Sequence, residues 1–321
     1  TGIALAYVGA ARGYKVTLFE QEKKLGGMLM GAIPEYRLPR DTLQKEIDNL
    51  LNDNIEVVYG KTLGKDFTTD SLKKDGFNAV FVALGSHKSR PLGIDGEEAE
   101  GVFPGIRFLK GYNLYDEHMA KGAVGVIGGG NSAIDAARAA IRQAGVEKVT
   151  VFYRRTEREM PAYAEEIVAA KEEGIEIIEL VAPVSVQTAD NKLTGVTFIK
   201  NELGERDASG RQRPVAIEGS EFATKLDTLI VAISEQPEGE PLENLPQSKW
   251  GSLKINTESF YTGREGVFGG GDVVTGPNTV IDAIADGKKA ALMIDRYLSG
   301  KKMKMISKVR LPSIYIQPKD D

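Results

Sequence analysis

The sequence predicts an α/β fold that contains parallel β-sheets. Three segments carry this prediction, and in each a short apolar strand adjoins a helix or a glycine turn: Gly2–Glu20, Ala79–Gly85 and Val124–Tyr153. A strand that is apolar along its whole length, such as Ala79–Gly85, is typical of a parallel sheet with both faces covered. Strands that alternate with helices along the chain indicate βαβ units.

Composition places the chain among globular proteins of ordinary polarity. Its 321 residues suggest about two domains, and 41% of them are apolar while 27% are charged. The 41 basic and 46 acidic residues give a net charge of −5, so no nucleic-acid partner is expected. The apolar run over residues 3–11 is far shorter than a membrane span, which needs roughly 20 residues. We therefore expect a cytoplasmic protein with no membrane partner.

The chain has no cysteine and only two histidines, His87 and His118. It therefore contains no disulfide, no thiolate nucleophile and no cysteine-held iron–sulfur cluster. The two histidines share no metal-ligand spacing, and we interpret both as ordinary loop or helix residues. No residue pattern stands out as a catalytic acid, a nucleophile or a metal site.

The most informative stretch is a glycine turn in the middle of the chain. Its spacing, Gly128-x-Gly130-x-x-Ala133, fits the dinucleotide fingerprint. In that fingerprint the first glycine makes the turn, the second lets the backbone approach a pyrophosphate, and the third small residue allows the helix to pack on the strand. The helix would begin with Asn131 and Ser132, and its free N–H groups would face the phosphates. A glycine turn without a ligand is the alternative.

The first twenty residues predict the second half of another dinucleotide unit. A helix of small apolar residues is followed by a strand that ends at Glu20, whose carboxylate would accept a ribose hydroxyl; a solvated acid is the alternative. Gly2 would be the third glycine of a fingerprint whose first strand and leading glycines are not in this sequence. We expect that the chain is a fragment, and that it binds its cofactor weakly if Thr1 is the true N-terminus.

Two stretches rich in glycine, proline and acid, Gly93–Gly105 and Pro237–Pro246, divide the chain. We interpret them as crossovers between domains. The predicted organisation is a discontinuous domain formed by residues 1–105 and 238–321, into which a second domain, residues 106–237, is inserted. Each domain would contain one dinucleotide unit.

Two adjacent arginines, Arg154 and Arg155, follow the second strand of the central unit. Proteins that bind NAD carry an acid about 20 residues after the glycine turn, which is where these arginines lie. Arginine suits the 2′-phosphate of NADP instead, because its guanidinium group can pair with phosphate through two hydrogen bonds. We expect NADPH rather than NADH; a solvated basic turn is the alternative.

Six segments match the pattern of one enzyme family: Leu25–Met28, Ile33–Pro39, Gly128–Asp135, Tyr153–Arg155, Glu159–Pro161 and Gly269–Gly287. Together they resemble the two-nucleotide flavin oxidoreductases, and more closely the small subunit of NADPH-dependent glutamate synthase and its relatives. The resemblance implies two Rossmann-like domains, with the nicotinamide domain inserted into the FAD domain. It implies FAD and NADPH as cofactors and hydride transfer from NADPH to FAD. It also implies an electron-accepting protein subunit or an iron–sulfur module as partner.

The resemblance further implies roles for residues of the FAD domain. Asp272, which follows a glycine run that ends at Gly271, resembles the acid that binds the flavin ribitol. Arg37 would lie along the flavin; a solvated surface arginine is the alternative. The helix that begins near Thr279 and Val280 would point its N-terminus at the pyrimidine oxygen of the flavin, where negative charge gathers on reduction. Further cofactor contacts are expected at glycines in loops and at strand ends: Gly26, Gly27 and Gly85.

Two departures from the family pattern bear on function. The family has a cysteine-rich iron–sulfur module ahead of the FAD domain, and that module is not in this sequence. The family also often has Gly-Gln before the proline that follows the last strand of the nicotinamide domain, where this sequence has Ser234-Glu-Gln-Pro237. The next electron carrier would therefore lie on another chain, on a segment outside this sequence or in a diffusible acceptor. Two other functions stay open: a non-catalytic nucleotide-binding scaffold and a flavin monooxygenase.

Overall fold

The structure is a computed structural model, and it describes residues 1–206, 210–242 and 244–304. It is an α/β protein, as the sequence predicts. Its helices are α1 (Gly2–Ala11), α2 (Met28–Gly31), α3 (Arg40–Leu50), α4 (Thr69–Lys74), α5 (Gly105–Tyr115), α6 (Asn131–Ile141), α7 (Ala164–Glu172), α8 (Asp272–Thr275) and α9 (Val280–Leu298).

The strands range from two to fifteen residues in length. They are β1 (Val16–Glu20), β2 (Ile55–Tyr59), β3 (Val80–Val82), β4 (Lys88–Ser89), β5 (Val102–Pro104), β6 (Gly122–Ile127), β7 (Val146–Phe152), β8 (Glu176–Ile178), β9 (Val181–Ala189), β10 (Lys192–Arg206), β11 (Gln212–Ala216), β12 (Phe222–Lys225), β13 (Thr228–Val231), β14 (Glu235–Gln236) and β15 (Val267–Gly269).

A five-stranded parallel sheet occupies the middle of the chain, with strand order β5-β13-β6-β7-β8. The helix α6 packs on this sheet through small side chains, and Ala133, Ala136, Ala137 and Ala140 are fully buried. Because these side chains are short, the helix lies close to β6 and β7. This packing fixes the N-terminus of α6 at the carboxyl end of β6, the edge at which ligands bind in open α/β sheets.

Strands from the two ends of the described chain form smaller parallel pairs, β1 with β2 and β3 with β15. The helices α1 and α9 pack closely against each other beside these strands. Gly287 of α9 makes this approach possible, since a Cβ atom there would lie 2.4 Å from the backbone oxygen of Thr1. The start of α1 is thereby held against α9.

An antiparallel sheet joins β9, β10, β11 and β12 and lies against the five-stranded sheet. Phe198 of β10 stacks on Phe152 of β7, with ring centroids 4.2 Å apart, and both side chains are buried. Stacked aromatic rings of this kind stabilise an interface beyond the area that they bury, by about 0.5–1.5 kcal/mol. This contact anchors β10 to the carboxyl end of β7, where Phe152 is the last residue.

Two predicted elements differ from the structure. The predicted strand Ala79–Gly85 is shorter, because β3 pairs with β15 only over Val80–Val82; Gly85, with a φ of +72°, lies in the loop that follows. The predicted crossover Gly93–Gly105 contains β5, which pairs with β13; its glycine-rich surroundings hid a three-residue strand. The division into residues 1–105 with 238–321, and 106–237, stays a prediction, and its part over 305–321 lies outside the described residues.

None of the helices in the described ranges combines the length and the apolar character that crossing a membrane requires. The single tryptophan of the sequence, Trp250, is 60% exposed. The Nζ atom of Lys249 and the guanidinium carbon of Arg90 lie 4.9 and 5.8 Å from the centre of its ring.

Candidate cofactor sites

The glycine turn after β6 is packed on one side and open on the other. Gly128 has a φ of +146°, and a Cβ atom there would lie 2.2 Å from the carbonyl oxygen of Ala232. At Gly130, the N-cap of α6, the nearest described atom to such a Cβ would be Cγ of Pro161, at 3.9 Å. The turn therefore tolerates no side chain on the protein side and leaves Gly130 open to a close approach by phosphate.

The first residues of α6 are held by their neighbours. The Asn131 side-chain oxygen accepts a hydrogen bond from the Tyr163 backbone N–H, at 3.0 Å, which ties the loop before α7 to the glycine turn. The Ser132 hydroxyl donates to the carboxylate of Glu235, a residue whose pKa is raised by burial. The start of α6 thus contacts the strand β14 as well as the loop before α7.

The two adjacent arginines occupy different environments. Arg154 is exposed at the end of β7, and its backbone oxygen accepts a hydrogen bond from the Asn201 side-chain amide, at 3.2 Å. The side chain of Arg155 is buried, and its Nε donates to the backbone oxygen of Gln212, at 2.6 Å. Arg155 therefore anchors the hairpin of β10 and β11 to β7, while Arg154 lies at the surface.

Beside these residues lies an open cavity of about 470 Å³. Its walls come from the loop after β7 and from the hairpin, and they include Arg158, Met160, Pro161, Arg206, Arg211 and Gln212. The Glu159 carboxylate, which also lines the cavity, accepts hydrogen bonds from the Thr156 hydroxyl and backbone N–H, and these lower the pKa of Glu159. Three guanidinium groups around one cavity suit a phosphate ligand.

The second predicted site lies beside the carboxyl end of β15. Gly271 has a φ of +74°, and a Cβ atom there would lie 2.1 Å from the hydroxyl oxygen of Thr1. The next residue, Asp272, has a buried Oδ1 atom that lacks a hydrogen-bond partner within the described ranges. Burial raises the pKa of Asp272, and a backbone hydrogen bond from Asn278 lowers it. A buried acceptor without a donor is costly, so this oxygen fits a site where a ligand hydroxyl donates to it.

The helix α9 begins close to this turn in sequence and is tied to it. Thr279 is the N-cap of α9, and its hydroxyl accepts a hydrogen bond from the backbone N–H of Asp282, at 3.2 Å. Val280, the first residue of the helix, is 40% exposed. Further along α9, the Asp286 carboxylate accepts a hydrogen bond from the Gly271 backbone N–H, at 3.1 Å. The start of α9 therefore presents polar and apolar groups at the surface near Asp272.

Gly2 and Glu20 are placed on the same side of the structure as this turn. A Cβ atom at Gly2 would lie 3.6 Å from Cβ of Ala83, the residue after β3. The carboxylate of Glu20, at the end of β1, accepts a hydrogen bond from the Glu22 backbone N–H, at 2.9 Å, and burial raises the pKa of Glu20. Gly2 therefore lies at the carboxyl end of β3, and Glu20 at the carboxyl end of β1.

The remaining predicted glycines adopt conformations that favour glycine. Gly26 and Gly27 have φ values of +125° and +56°, and no described atom lies within 4 Å of a Cβ placed on Gly27. At Gly85 a Cβ would lie 3.0 Å from Nε2 of His87. The Nδ1 atom of His87 is buried without a hydrogen-bond partner in the described part of the chain, and burial together with Lys110 lowers the pKa of His87 to about 4.

Arg37 contacts carboxylates of the central sheet's helices. Its Nη1 atom lies 2.8 Å from both carboxylate oxygens of Asp135 in α6, and its Nε atom lies 3.0 Å from the carboxylate of Glu166 in α7. The guanidinium group is thus engaged by two acids. The expected contact of Arg37 with flavin stays a prediction.

Sequence reasoning missed several groups that the structure brings to these sites. Asp135 and Arg138 are charged residues within an alanine-rich helix, and this contrast is a signal that could have identified them. Arg206 and Arg211 line the same cavity as Arg158, although they lie about 50 residues further along the chain, so no local sequence pattern indicates that they are close. For His87, its position just after the strand-end Gly85 was the available signal.

The chain shares its fold with reductases that have two dinucleotide-binding domains. The structure of Mycobacterium tuberculosis FprA in complex with NADPH superposes on this chain with a TM-score of 0.79 and 16% sequence identity, and the match covers 94% of this chain and 83% of FprA. T. acidophilum thioredoxin reductase has a TM-score of 0.67 and 20% identity, over 93% and 95% of the two chains. Identities this low establish the likeness of fold alone.

The chain belongs to the pyridine nucleotide-disulphide oxidoreductase family, whose model matches residues 1–287. It is 40% identical to the NADP(+)-dependent formate dehydrogenase subunit beta of Moorella thermoacetica and 38% identical to the NADPH-Fe(3+) oxidoreductase subunit beta of Geobacter sulfurreducens, over 92% of this chain in both cases. It is 34% identical to a putative glutamate synthase [NADPH] small chain of Cereibacter sphaeroides, over 93% of this chain and 75% of that protein.

These matches confirm the resemblance to the glutamate synthase small subunit and its relatives. The chain therefore belongs to an oxidoreductase family whose cofactors are FAD and NADPH. It spans 42% of the length of the Moorella protein and 48% of the length of the Geobacter protein.

Proposed function

We propose that the chain transfers hydride from NADPH to FAD and passes the electrons on to an acceptor outside this sequence. The observation that carries the proposal is that one chain has two glycine turns at strand ends, each with features that suit a dinucleotide. One is the glycine turn before α6 with its arginine-lined cavity, and the other is the glycine and acid turn at Asp272. Two nucleotide sites in one chain suit transfer between two bound cofactors better than binding of one.

At the proposed NADPH site, the role of the protein is to bind and orient the nucleotide. Gly128 would make the tight turn, and the open backbone at Gly130 and the N–H groups at Asn131 and Ser132 would hold the pyrophosphate, since a helix N-terminus favours negative charge. The exposed Arg154, at the end of β7, would bind the 2′-phosphate. Arg155 would hold the hairpin in place.

At the FAD site, Asp272 would accept a hydrogen bond from the ribitol chain through its unpartnered oxygen, and Glu20 would accept one from the ribose. The N-terminus of α9, at Thr279 and Val280, would face the pyrimidine ring and stabilise the charge that develops there. Backbone contacts are proposed at the glycines of the turns and helix starts: Gly2, Gly26, Gly27, Gly85 and Gly271. FAD, when bound, supplies the two-electron acceptor, and the protein orients it and excludes water.

The final electron acceptor is proposed to be a protein subunit or an iron–sulfur module. Relatives that are 34–40% identical over more than nine-tenths of this chain are named as a subunit beta or a small chain, which favours a partner subunit. Because the sequence contains no cysteine, a cluster held by cysteine would have its ligands outside residues 1–321. The acceptor is therefore sought on a partner or an adjoining segment.

The proposal is tested by anaerobic mixing of the protein with excess FAD and with NADPH. The visible absorbance of bound FAD is expected to bleach, and NADPH is expected to be consumed in equal amount. If both cofactors are shown to bind and the oxidised spectrum persists, the protein is a nucleotide-binding scaffold instead. If NADPH consumption yields an oxygenated product only in air, the protein is a monooxygenase.

A further inference from the structure

A cluster of charged and aromatic side chains joins the loop over residues 33–39 to α6 and α7. We call it the arginine clamp, and its members are Tyr36, Arg37, Asp135, Arg138, Arg142, Glu166 and Glu173. Arg37 crosses from the loop to both helices: its Nη1 lies 2.8 Å from each oxygen of Asp135, and its Nε lies 3.0 Å from Glu166. The Asp135 side chain is 6% exposed and that of Arg37 is 17% exposed. The contact is therefore shielded from solvent.

Tyr36, next to Arg37, makes a second contact with α6. The guanidinium carbons of Arg138 and Arg142 lie 4.3 and 4.5 Å from the centre of its ring. A cation that close to an aromatic ring is attracted by the electrons of the ring face. The Tyr36 hydroxyl is buried, and burial raises the pKa of Tyr36, so the residue is neutral at physiological pH.

The clamp is balanced in charge, with three arginines and three carboxylates. Glu166 of α7 contacts both Arg37 and Arg138, and Glu173 accepts hydrogen bonds from Arg138 at 2.6 Å and from Arg142 at 2.6 and 2.7 Å. Burying ion pairs contributes little net stability, because desolvation of the charges offsets their attraction. Their best-attested use is to fix one arrangement of the parts that they join.

The position of the clamp connects the two proposed cofactor sites. Asp135 lies on the first turns of α6, whose N-terminus is the glycine turn of the proposed NADPH site. The loop that carries Arg37 follows Gly26 and Gly27 and α2, which belong to the proposed FAD site. Hydride transfer requires the two reacting rings to be held in contact, and a misplacement of about 1 Å can cost on the order of 100-fold in rate.

We propose that Arg37 is a positioning residue, which clamps the 33–39 loop to α6 and so fixes the orientation in which NADPH meets FAD. This inference rests on the proposed function. It assigns Arg37 a role through Asp135 and Glu166, in place of direct contact with the flavin. The same role extends to Tyr36, whose ring holds the second contact with α6.

The clamp has a titratable member, Asp135. Burial raises its pKa to about 6, even though the hydrogen bonds from Arg37 act in the opposite direction. The charged and titratable groups that face it are Arg37 and Tyr36 from the loop, Arg138 on α6 and Glu166 on α7. Protonation of Asp135 removes the charge that Arg37 pairs with. Hydride transfer is therefore expected to slow as the pH falls through about 6, and this acid limb should be absent in Asp135→Asn.

The first experiment measures the clamp without using activity. Because the sequence has no cysteine, spin labels can be placed on two introduced cysteines, Lys45→Cys on α3 and Glu172→Cys on α7, both at exposed positions. The distance distribution between the labels is recorded by pulsed electron paramagnetic resonance. Arg37→Ala is expected to broaden or shift it. Arg107→Ala, which removes an exposed ion pair with Glu117, is the matched control and should leave it unchanged.

The second experiment measures the rate of flavin reduction by NADPH under anaerobic stopped flow. Arg37→Ala is expected to lower the rate at saturating NADPH by about 10- to 100-fold, while the Kd for NADPH changes little. Arg37→Lys should recover part of the rate, because one ammonium group can replace the Nη1 contact with Asp135 but not the Nε contact with Glu166. It also tests the proposal if Arg37→Ala fails to fold.

The outcomes separate this inference from the function on which it rests. An unchanged distance distribution in Arg37→Ala overturns the clamp, whatever the rate. A changed distribution with an unchanged rate overturns the positioning role. If the parent protein shows no flavin reduction, the proposed function is wrong, and the distance measurement alone decides whether Arg37 holds the loop to α6.

Discussion

The two proposed cofactor sites are built in different ways. The NADPH site comes mostly from consecutive residues of one βαβ unit, from the glycine turn at Gly128 to Arg154, with a hairpin added from the antiparallel sheet. The FAD site collects residues from distant parts of the described chain, and packing of α1 against α9 brings Thr1 beside Gly271. A continuous motif defines the first site, whereas the second exists only once the chain has folded.

This difference leads to a specific expectation about substitutions. Changes at the NADPH site should alter the affinity for NADPH and leave the FAD site intact, because the residues of the NADPH site belong to a different sheet from those of the FAD site. Changes at the FAD site should act through contacts that also hold helices together.

The largest effect is expected for Arg154→Ala. A charge-assisted hydrogen bond contributes about 1.5–3 kcal/mol, so losing the contact with the 2′-phosphate should lower the NADPH-to-NADH ratio of kcat/KM by roughly 10- to 150-fold. FAD affinity should not change. The exposed Arg213→Ala on β11 is the control. Steady-state kinetics with both nucleotides measures the ratio, and an unchanged ratio would remove Arg154 from the phosphate site.

The next effect concerns pH and compares one buried group from each region. His87 has a pKa of about 4 in the folded protein against 6.5 when exposed, so the unfolded chain takes up a proton first as the pH falls. Stability should therefore be lost between pH 6.5 and about 4, by up to about 3 kcal/mol. Asp135, with a pKa raised from 3.8 to about 6, acts in the opposite direction and adds stability as the pH falls through 6.

Urea unfolding between pH 4 and 7 separates the two groups. His87→Gln should unfold with a smaller acid-side loss of stability than the parent, and Asp135→Asn should unfold with a larger one, because each removes one of the opposing contributions. The free energy of unfolding is measured by circular dichroism. If both variants follow the parent's pH profile, the buried groups do not titrate as the structure indicates.

The smallest effect is expected for Asp272→Asn. This change replaces the carboxylate that carries the unpartnered Oδ1 by an amide of the same shape. It should weaken FAD binding by about 1–3 kcal/mol, or roughly 5- to 150-fold. Asp295→Asn, at the other end of α9, is the control, because its carboxylate pairs with Arg12. Titration with FAD and with NADPH measures both affinities. Equal losses for the two nucleotides would contradict the separation of the sites.

The same contrast between neighbouring and distant residues explains which features could be predicted from the sequence. The turn at Gly128, the helix α6, the strand β7 and the long helix α9 were predictable, because glycine spacing and apolar patterning act over neighbouring residues. The pairing of Arg37 with Asp135 was not, because it joins residues far apart in the chain. The strand β5 was missed for a different reason: three residues are too few to show a pattern.

The exposed Trp250 determines what fluorescence can report about this protein. Its indole already faces water in the folded state, so its emission should change little on unfolding, and loss of the core has to be followed by another signal. Arg90 and Lys249 beside the ring attract anions, so iodide should quench the emission more strongly than caesium does. The intrinsic fluorescence is therefore a sensor of charge at one surface position.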